Sequence, residues 1–398
     1  MKTTAMVSSA ALIIALGLAG PALAADALLS GAIKSAAGDK LGGITVSAKA
    51  EGSTITTTVY TDPDGVYVFP PLPQGKYRVW AQALSFATAK GNVDLDANRS
   101  QAFTLDNLQD FTRQLPGDLM IEALPNATPD DARMRTLIRN DCAGCHTHSF
   151  TLQHKFDEAG WNRIIELMKR VNVSGIYQGE DKVSGILDRH QKELAAYLAR
   201  ARGPGQSSMQ IKLRPRPQGE SARVVIKEYD VPIQEDAGHP TKYPVNDGSD
   251  WSLGTPSRIG SLVHDAYADN DGTLWFTSNV PNRRMSIGRI DPVSGEVKFI
   301  RVNGPNGYAG NTHGMVRDPK GAIWFNVNTG KGSLARIDVK TNEVEIFTPP
   351  QGMMPTGGAT TVDYDGKGMI WVSAPEGSLR FDPSTKVDRK STRLNSSH

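Results

Sequence analysis

Cysteine is nearly missing from this chain: 398 residues hold two, Cys142 and Cys145, separated by Ala143 and Gly144. A structural zinc site needs four ligands, and only these two with His146 or His148 lie close together, so the pair reads poorly as zinc. Long apolar runs are also lacking. The leader aside, nothing approaches the roughly 20 apolar residues that a membrane span requires. Net charge is just as thin. Asp388 set against Arg389, Lys390 and Arg393 accounts for the formal +2, leaving residues 1–387 neutral. A neutral chain gives no electrostatic steering toward nucleic acid, and none is expected as a partner.

The two ends are expected to stand outside the fold. Lys2, an apolar stretch from Ala10 to Leu18 and the small-x-small close Ala22-Leu23-Ala24 read as a secretory signal over residues 1–24. The mature protein is then periplasmic or secreted, with no membrane span after cleavage. Residues 388–398, "DRKSTRLNSSH", lack hydrophobic periodicity and read as adapter read-through.

Between the ends the pattern changes twice, which predicts three modules. Residues 27–106 alternate with period two: Ile44, Val46 and Ala48 share one side, and Asp62-Pro63-Asp64-Gly65 makes a turn between β-rich runs. Gly31, Asp62, Asp64, Gly65, Tyr67, Phe69, Leu72, Pro73, Gly75 and Tyr77 carry a resemblance to the carboxypeptidase regulatory-like domain, a small β-sandwich. Asp62 and Asp64 read as turn residues rather than calcium ligands, because no further carboxylates follow at loop spacing. Tyr67, Phe69, Tyr77 and Trp80 read as core rather than a sugar-stacking platform, although an accessory carbohydrate-binding role stays open.

From residue 128 the period becomes helical. Thr128-Pro129-Asp130-Asp131 is a helix start, and Met134, Leu137 and Ile138 follow at three and four. Trp161, Ile164, Ile165 and Met168 mark a further helix; Ile186, Leu187, Leu194, Tyr197 and Leu198 mark another. Cys142-Ala143-Gly144-Cys145-His146 closes the first. Two cysteines three apart can each form a thioether to a porphyrin vinyl group, with the adjoining histidine placed beneath the iron. A thioredoxin-type dithiol would need a βαβ setting that these helices do not supply. The motif therefore predicts haem c, with Cys142 and Cys145 covalently attached and His146 as proximal ligand. Residues 128–202 resemble class I cytochrome c. That resemblance implies an all-α haem domain, electron transfer with a periplasmic redox partner, and a methionine as sixth ligand, for which Met168 is the candidate. His148, His154 and His190 are the alternatives, and Met168 could instead simply pack with Ile164 and Ile165.

Residues 203–222, rich in Gly, Pro and Ser, read as a linker. A repeat then begins: Asp269, Asp318 and Asp365, then Gly272, Gly321 and Gly368, then Trp275, Trp324 and Trp371, with the tryptophans 49 and 47 residues apart. Such a period with short strands predicts a β-propeller over 223–387, and three units make it incomplete. "VVIKEYDVP", 224–232, is expected to act as a blade's closing strand. The D-x-x-G-x-x-W units resemble the virginiamycin B lyase family, which implies metal-assisted elimination on a cyclic depsipeptide by residues of later blades. His264 and His313 occupy one repeat-equivalent position and Thr360 the third, a position that reads either as a structural hydrogen bond within each blade or as substrate or metal contact. The expectation is thus a multidomain chain: an all-β sandwich, an all-α cytochrome c domain and a partial propeller. Haem-mediated electron transfer is its function, with a metal-dependent lyase or a binding and sensing protein as alternatives, acting on an unknown small molecule, peptide or carbohydrate.

Overall fold

Ile44, Val46 and Ala48 are all buried, as a half-buried strand requires. The computed structural model describes residues 26–142, 146–169, 185–231, 246–254, 263–279, 283–349, 361–374, 377–385 and 387–392. In it, the strand Thr45–Ala50 is central to a five-stranded antiparallel sheet whose order is Ile226–Tyr229, Ile55–Tyr60, Thr45–Ala50, Gly75–Gln82, Ala89–Leu95. A second sheet contains Leu29–Ser35, Val66–Val68, Phe103–Leu105 and Arg99–Ser100. One core lies between them, with Leu29, Ile33 and Leu105 meeting Val46, Val79 and Leu95. Tyr67, Phe69 and Tyr77 belong to this core. Asp62 holds its turn, its Oδ1 accepting from the N–H groups of Asp64 and Val66 at 2.9 and 2.8 Å.

Trp80 lies on the other face of the large sheet, fully buried beneath residues 246–249. Lys49 Nζ and the Gln82 amide donate to the carbonyls of Asn246 and Ser249. Gly248 rests on the indole with φ +71°, and a Cβ there would lie 2.8 Å from the ring. A bulkier residue would meet both a left-handed backbone and an immovable neighbour. Gly248→Ala is therefore expected to cost about 1–3 kcal/mol, read as a lower urea midpoint at unchanged slope.

Five α-helices follow: α1 (Gly117–Ala123), α2 (Pro129–Asp141), α3 (His148–Leu152), α4 (Glu158–Met168) and α5 (Gly185–Arg202). Thr128 caps α2 by accepting from the Asp131 N–H at 3.1 Å. Met134, Ile138, Trp161, Ile165, Leu187, Leu194, Tyr197 and Leu198 are buried as the periodicity predicts, while Ile186 is exposed.

A separate all-α cytochrome c domain is not what these helices form, and that expectation is corrected. Among the described residues the chain is mostly β, with twenty-three strands to five α-helices. The helical core is completed by Leu84 and Phe111 from the sandwich side and by Met209 and Ile211 after α5. The Gln114 side chain accepts from the Ser85 N–H and donates to the Phe86 carbonyl and the Ser252 hydroxyl. Asp110 pairs with Lys155 at 2.9 Å. The helices are thus a layer fastened to the sandwich and covered by the segment that follows α5; helical periodicity reports a buried stripe and is silent on what covers it. The supposed linker is likewise packed. Gln210 N–H bonds the Ala123 carbonyl at 2.9 Å, and Arg214 reaches Asp118 and Glu122.

Three four-stranded antiparallel sheets complete the description, each a simple meander of consecutive strands. The first runs from Ala266 to Ile300, the second from Met315 to Phe347 and the third from Val362 to Thr392. Each sheet buries a face against the next: Trp275 and Ile287 meet Phe325 and Ile337, and Trp324 and Leu334 meet Ile370 and Phe381. In every unit the glycine has positive φ and donates its N–H to the aspartate carbonyl, closing the turn before the tryptophan strand.

Two segments depart from expectation. Ile226–Tyr229 joins the sandwich, pairing with Ile55–Tyr60 in the register Ile226↔Thr58, rather than closing a blade. Val387–Thr392, which includes part of the segment expected to be structureless, supplies the fourth strand of the third sheet. In both cases an open edge offers unpaired backbone groups, and backbone pairing asks little of the side chains that fill it.

Candidate functional site at the His264–His313 face

Three residues from two neighbouring blades converge at one point. The imidazoles of His264 and His313 have ring centroids 3.7 Å apart with a 39° tilt. His264 Nδ1 lies 3.4 Å from Asp265 Oδ1. One potential ligand atom from each of His264, Asp265 and His313 falls within 4.8 Å of the others. All three are at least partly open to solvent.

The backbone beneath them is held by the strand that carries each tryptophan. Thr277, two residues past Trp275, accepts through Oγ1 from the Asp265 N–H at 3.0 Å and donates to the His313 carbonyl at 2.6 Å. Asn326, two past Trp324, accepts through Oδ1 from the N–H groups of both His313 and Gly314. Ser373, two past Trp371, accepts from the Thr361 N–H at 2.9 Å. The buried Thr312 hydroxyl donates to the Ser286 carbonyl and accepts from the Ser278 N–H. Sequence reasoning found the histidines but missed Thr277, Asn326 and Ser373, although a polar residue two past each tryptophan recurs with the repeat. Thr360 lies outside the described residues.

The aspartates of the repeat divide in role. Asp318 and Asp365 accept from the Nε1 of their own Trp324 and Trp371 at 2.8 and 2.7 Å. Asp269 instead pairs with Arg317 of the second blade. One sequence position therefore closes the turn in all three blades, while its carboxylate holds the tryptophan in two of them and ties two blades together in the other.

The cysteine motif is only partly described, since Cys145 lies outside the described residues. Cys142 caps the C-terminus of α2, its N–H bonding the Ile138 carbonyl. Its side chain packs against the helical core, and burial, with Asp141 adding, pushes the thiol up to about 12. His146 holds Nδ1 3.4 Å from the Thr147 carbonyl oxygen and 3.3 Å from the Thr151 hydroxyl, so Nε2 is the nitrogen placed to coordinate. Met168, at the end of α4, packs at the margin of the same core as Cys142. Of the alternative ligands, His148 Nε2 lies 3.0 Å from the Arg139 carbonyl and His190 Nδ1 lies 3.2 Å from Glu193. His154 is set between Phe150 and Phe156, and burial, then Arg113, Arg202 and His146, lower its pKa. The electron-transfer and cytochrome c readings rested on an independent all-α domain and are withdrawn with it, because the helices share their core with Leu84 and Phe111 of the sandwich side.

No helix among the described residues is long and apolar enough to cross a membrane. No curated protein matches the chain. Among solved structures, a gluconolactonase of Xanthomonas campestris is 15% identical over 37% of this chain and 53% of its own, with a TM-score of 0.26. A dihydro-heme d1 dehydrogenase is 11% identical over 33% of this chain and 28% of its own, with a TM-score of 0.26. The extracellular domain of a B. thetaiotaomicron one-component system is 19% identical over 33% of this chain and 16% of its own, again with a TM-score of 0.26. The chain thus spans between 16% and 53% of the length of these structures. Residues 29–106 match the family model of the carboxypeptidase regulatory-like domain, which is the sandwich described above.

Proposed function

We propose that the chain is an exported binding protein whose recognition element is the propeller face at His264 and His313, with the sandwich and helices as its support. The observation that carries this is the meeting of two repeat-equivalent imidazoles from adjacent blades, 3.7 Å between centroids. Side chains on partly exposed positions that are fixed through buried hydroxyl and amide groups are arranged for contact rather than for core packing. The sandwich is ill suited to the role on its large-sheet face, because Trp80 is covered by Gly248. A thermal-shift panel of cyclic depsipeptides, sugar lactones and oligosaccharides tests the proposal. At least one class should raise the Tm of the parent chain and leave His264→Ala/His313→Ala unshifted. A panel that shifts neither protein, or both equally, counts against it; turnover of a depsipeptide would make the site a lyase.

Covalent haem is a second and separate proposal, supported by the motif and by what is described of it. Cys142 stands at the end of α2, and the Nδ1 of His146 lies near the Thr147 carbonyl and the Thr151 hydroxyl, which leaves Nε2 for coordination. Haem, when bound, would supply redox-active iron; His146 would hold the iron, Cys142 and Cys145 would hold the ring covalently, and Met168 is the candidate for a second iron ligand. Produced in a host with cytochrome c maturation, the chain should retain its haem through acid-acetone extraction, and Cys142→Ser/Cys145→Ser should not. Haem that extracts freely from the parent chain would end that proposal.

A further inference from the structure

We propose that His264, Asp265 and His313 form a binding site for one first-row divalent transition metal ion, of the zinc or cobalt kind. This rests on the reading of the propeller face as the recognition site and names what that face holds.

The donor set selects the metal class. Two imidazole nitrogens and one carboxylate oxygen are borderline ligands that suit zinc, cobalt, nickel or ferrous iron; calcium and magnesium favour all-oxygen shells. The geometry is near what an ion needs. One ligand atom from each residue lies within 4.8 Å of the other two, and the His264 Nδ1 to Asp265 Oδ1 distance is 3.4 Å. Donor atoms at about 2 Å from a common ion sit roughly 3–3.5 Å apart, so small side-chain rotations close the set.

The residues behind the ligands provide the rigidity that such a site requires. Thr277 joins the two ligand loops directly, bonding the Asp265 N–H on one side and the His313 carbonyl on the other. Asn326 fixes the backbone of His313 and Gly314, and the His264 N–H bonds the Thr277 carbonyl at 2.9 Å. Outer groups of this kind commonly change affinity by about 10–100-fold when removed. Three protein ligands leave coordination positions open, and the side-chain exposures of 29% for His264 and 46% for Asp265 place those positions toward solvent. A carbonyl, carboxylate or hydroxyl oxygen of a bound ligand would fill one of them.

The test is titration of the chelator-treated full chain with cobalt(II), followed by visible absorption. One cobalt per chain is expected, displaced by zinc and unaffected by millimolar calcium or magnesium. His264→Gln and His313→Gln, which keep side-chain bulk, should each weaken binding at least about tenfold, with circular dichroism confirming the fold. Unchanged cobalt affinity in the double Gln variant overturns the site, as does a sulfur-to-cobalt charge-transfer band showing that the ion sits on cysteine instead. Failure of the metal and failure of the recognition face remain separable. Unchanged cobalt affinity in the double Gln variant, together with a panel ligand that shifts the metal-free parent chain but not that variant, removes the metal and keeps the face; a ligand that shifts the double variant equally removes the face.

Discussion

Trp324→Ala is expected to lower the stability of the propeller region by about 3–5 kcal/mol, the range for deleting a large buried aromatic. Trp324 is 1% exposed, and its ring sits 5.5 Å from both Phe347 of its own blade and Phe381 of the next. The cavity would open between two blades, where neither sheet can collapse without moving the other. Its Nε1 also donates to Asp318 Oδ2 at 2.8 Å, while the other carboxylate oxygen accepts from the Ala322 N–H. Trp324→Phe keeps most of the packing and loses that bond, so it should cost about 1–3 kcal/mol. Hydrogen exchange should show the second and third blades losing protection together in the alanine variant. A cost below about 1 kcal/mol would mean that the blades do not share this core.

The second large effect concerns thiol chemistry. In a chain produced in a host without cytochrome c maturation, Cys142 should react with iodoacetamide at pH 8 on the order of 1000-fold more slowly when folded than when unfolded. The thiolate is the reactive species, and burial pushes the folded thiol from its ordinary 9.0 up to about 12. The sign for stability follows. The folded form binds the proton more tightly, so this contribution is complete below pH 9 and is lost as pH rises from there toward 12. Mass mapping of alkylated peptides across pH 7–10 checks both statements. Rapid labelling of native Cys142 would place its thiol in solvent and detach it from the helical core. Slow labelling carries a corollary for haem: attachment would have to precede closure of the helical layer.

Much of this architecture was legible in the chain. The turn at Asp62–Gly65, the strand of Ile44, Val46 and Ala48, and the D-x-x-G-x-x-W units each carry local chemistry that leaves a mark on sequence. What stayed illegible depends on partners far away in the chain. Nothing in Ile226–Tyr229 says that it will pair with Thr56–Thr58, because a ladder is built from backbone groups common to all residues. Nothing in the stripe of α2 or α5 says that Leu84 and Phe111 will cover its edge. The site shows the same division. His264 and His313 stood out by repeat position, whereas Asp265 became a member only when the fold brought a neighbouring blade beside it. The divergence of Asp269 from Asp318 and Asp365 was equally hidden, since it depends on Arg317 reaching across.

The strand Ile226–Tyr229 also sets an order of events. Its partner edge, Ile55–Tyr60, emerges early during synthesis, while the strand that completes it arrives only after all five helices have been made. Through that interval the sandwich presents an open edge rich in threonine, with Thr56, Thr57 and Thr58 in sequence, to whatever chain is nearby. Completion is then a signal of progress: the edge is sealed by the residues that lead into the propeller. Slow or stalled synthesis would prolong the exposure, and a neighbouring copy could donate its own Ile226–Tyr229 in place of the late one. The same pairing that joins sandwich to propeller within one molecule is in that sense a point at which two molecules could become entangled before folding is complete.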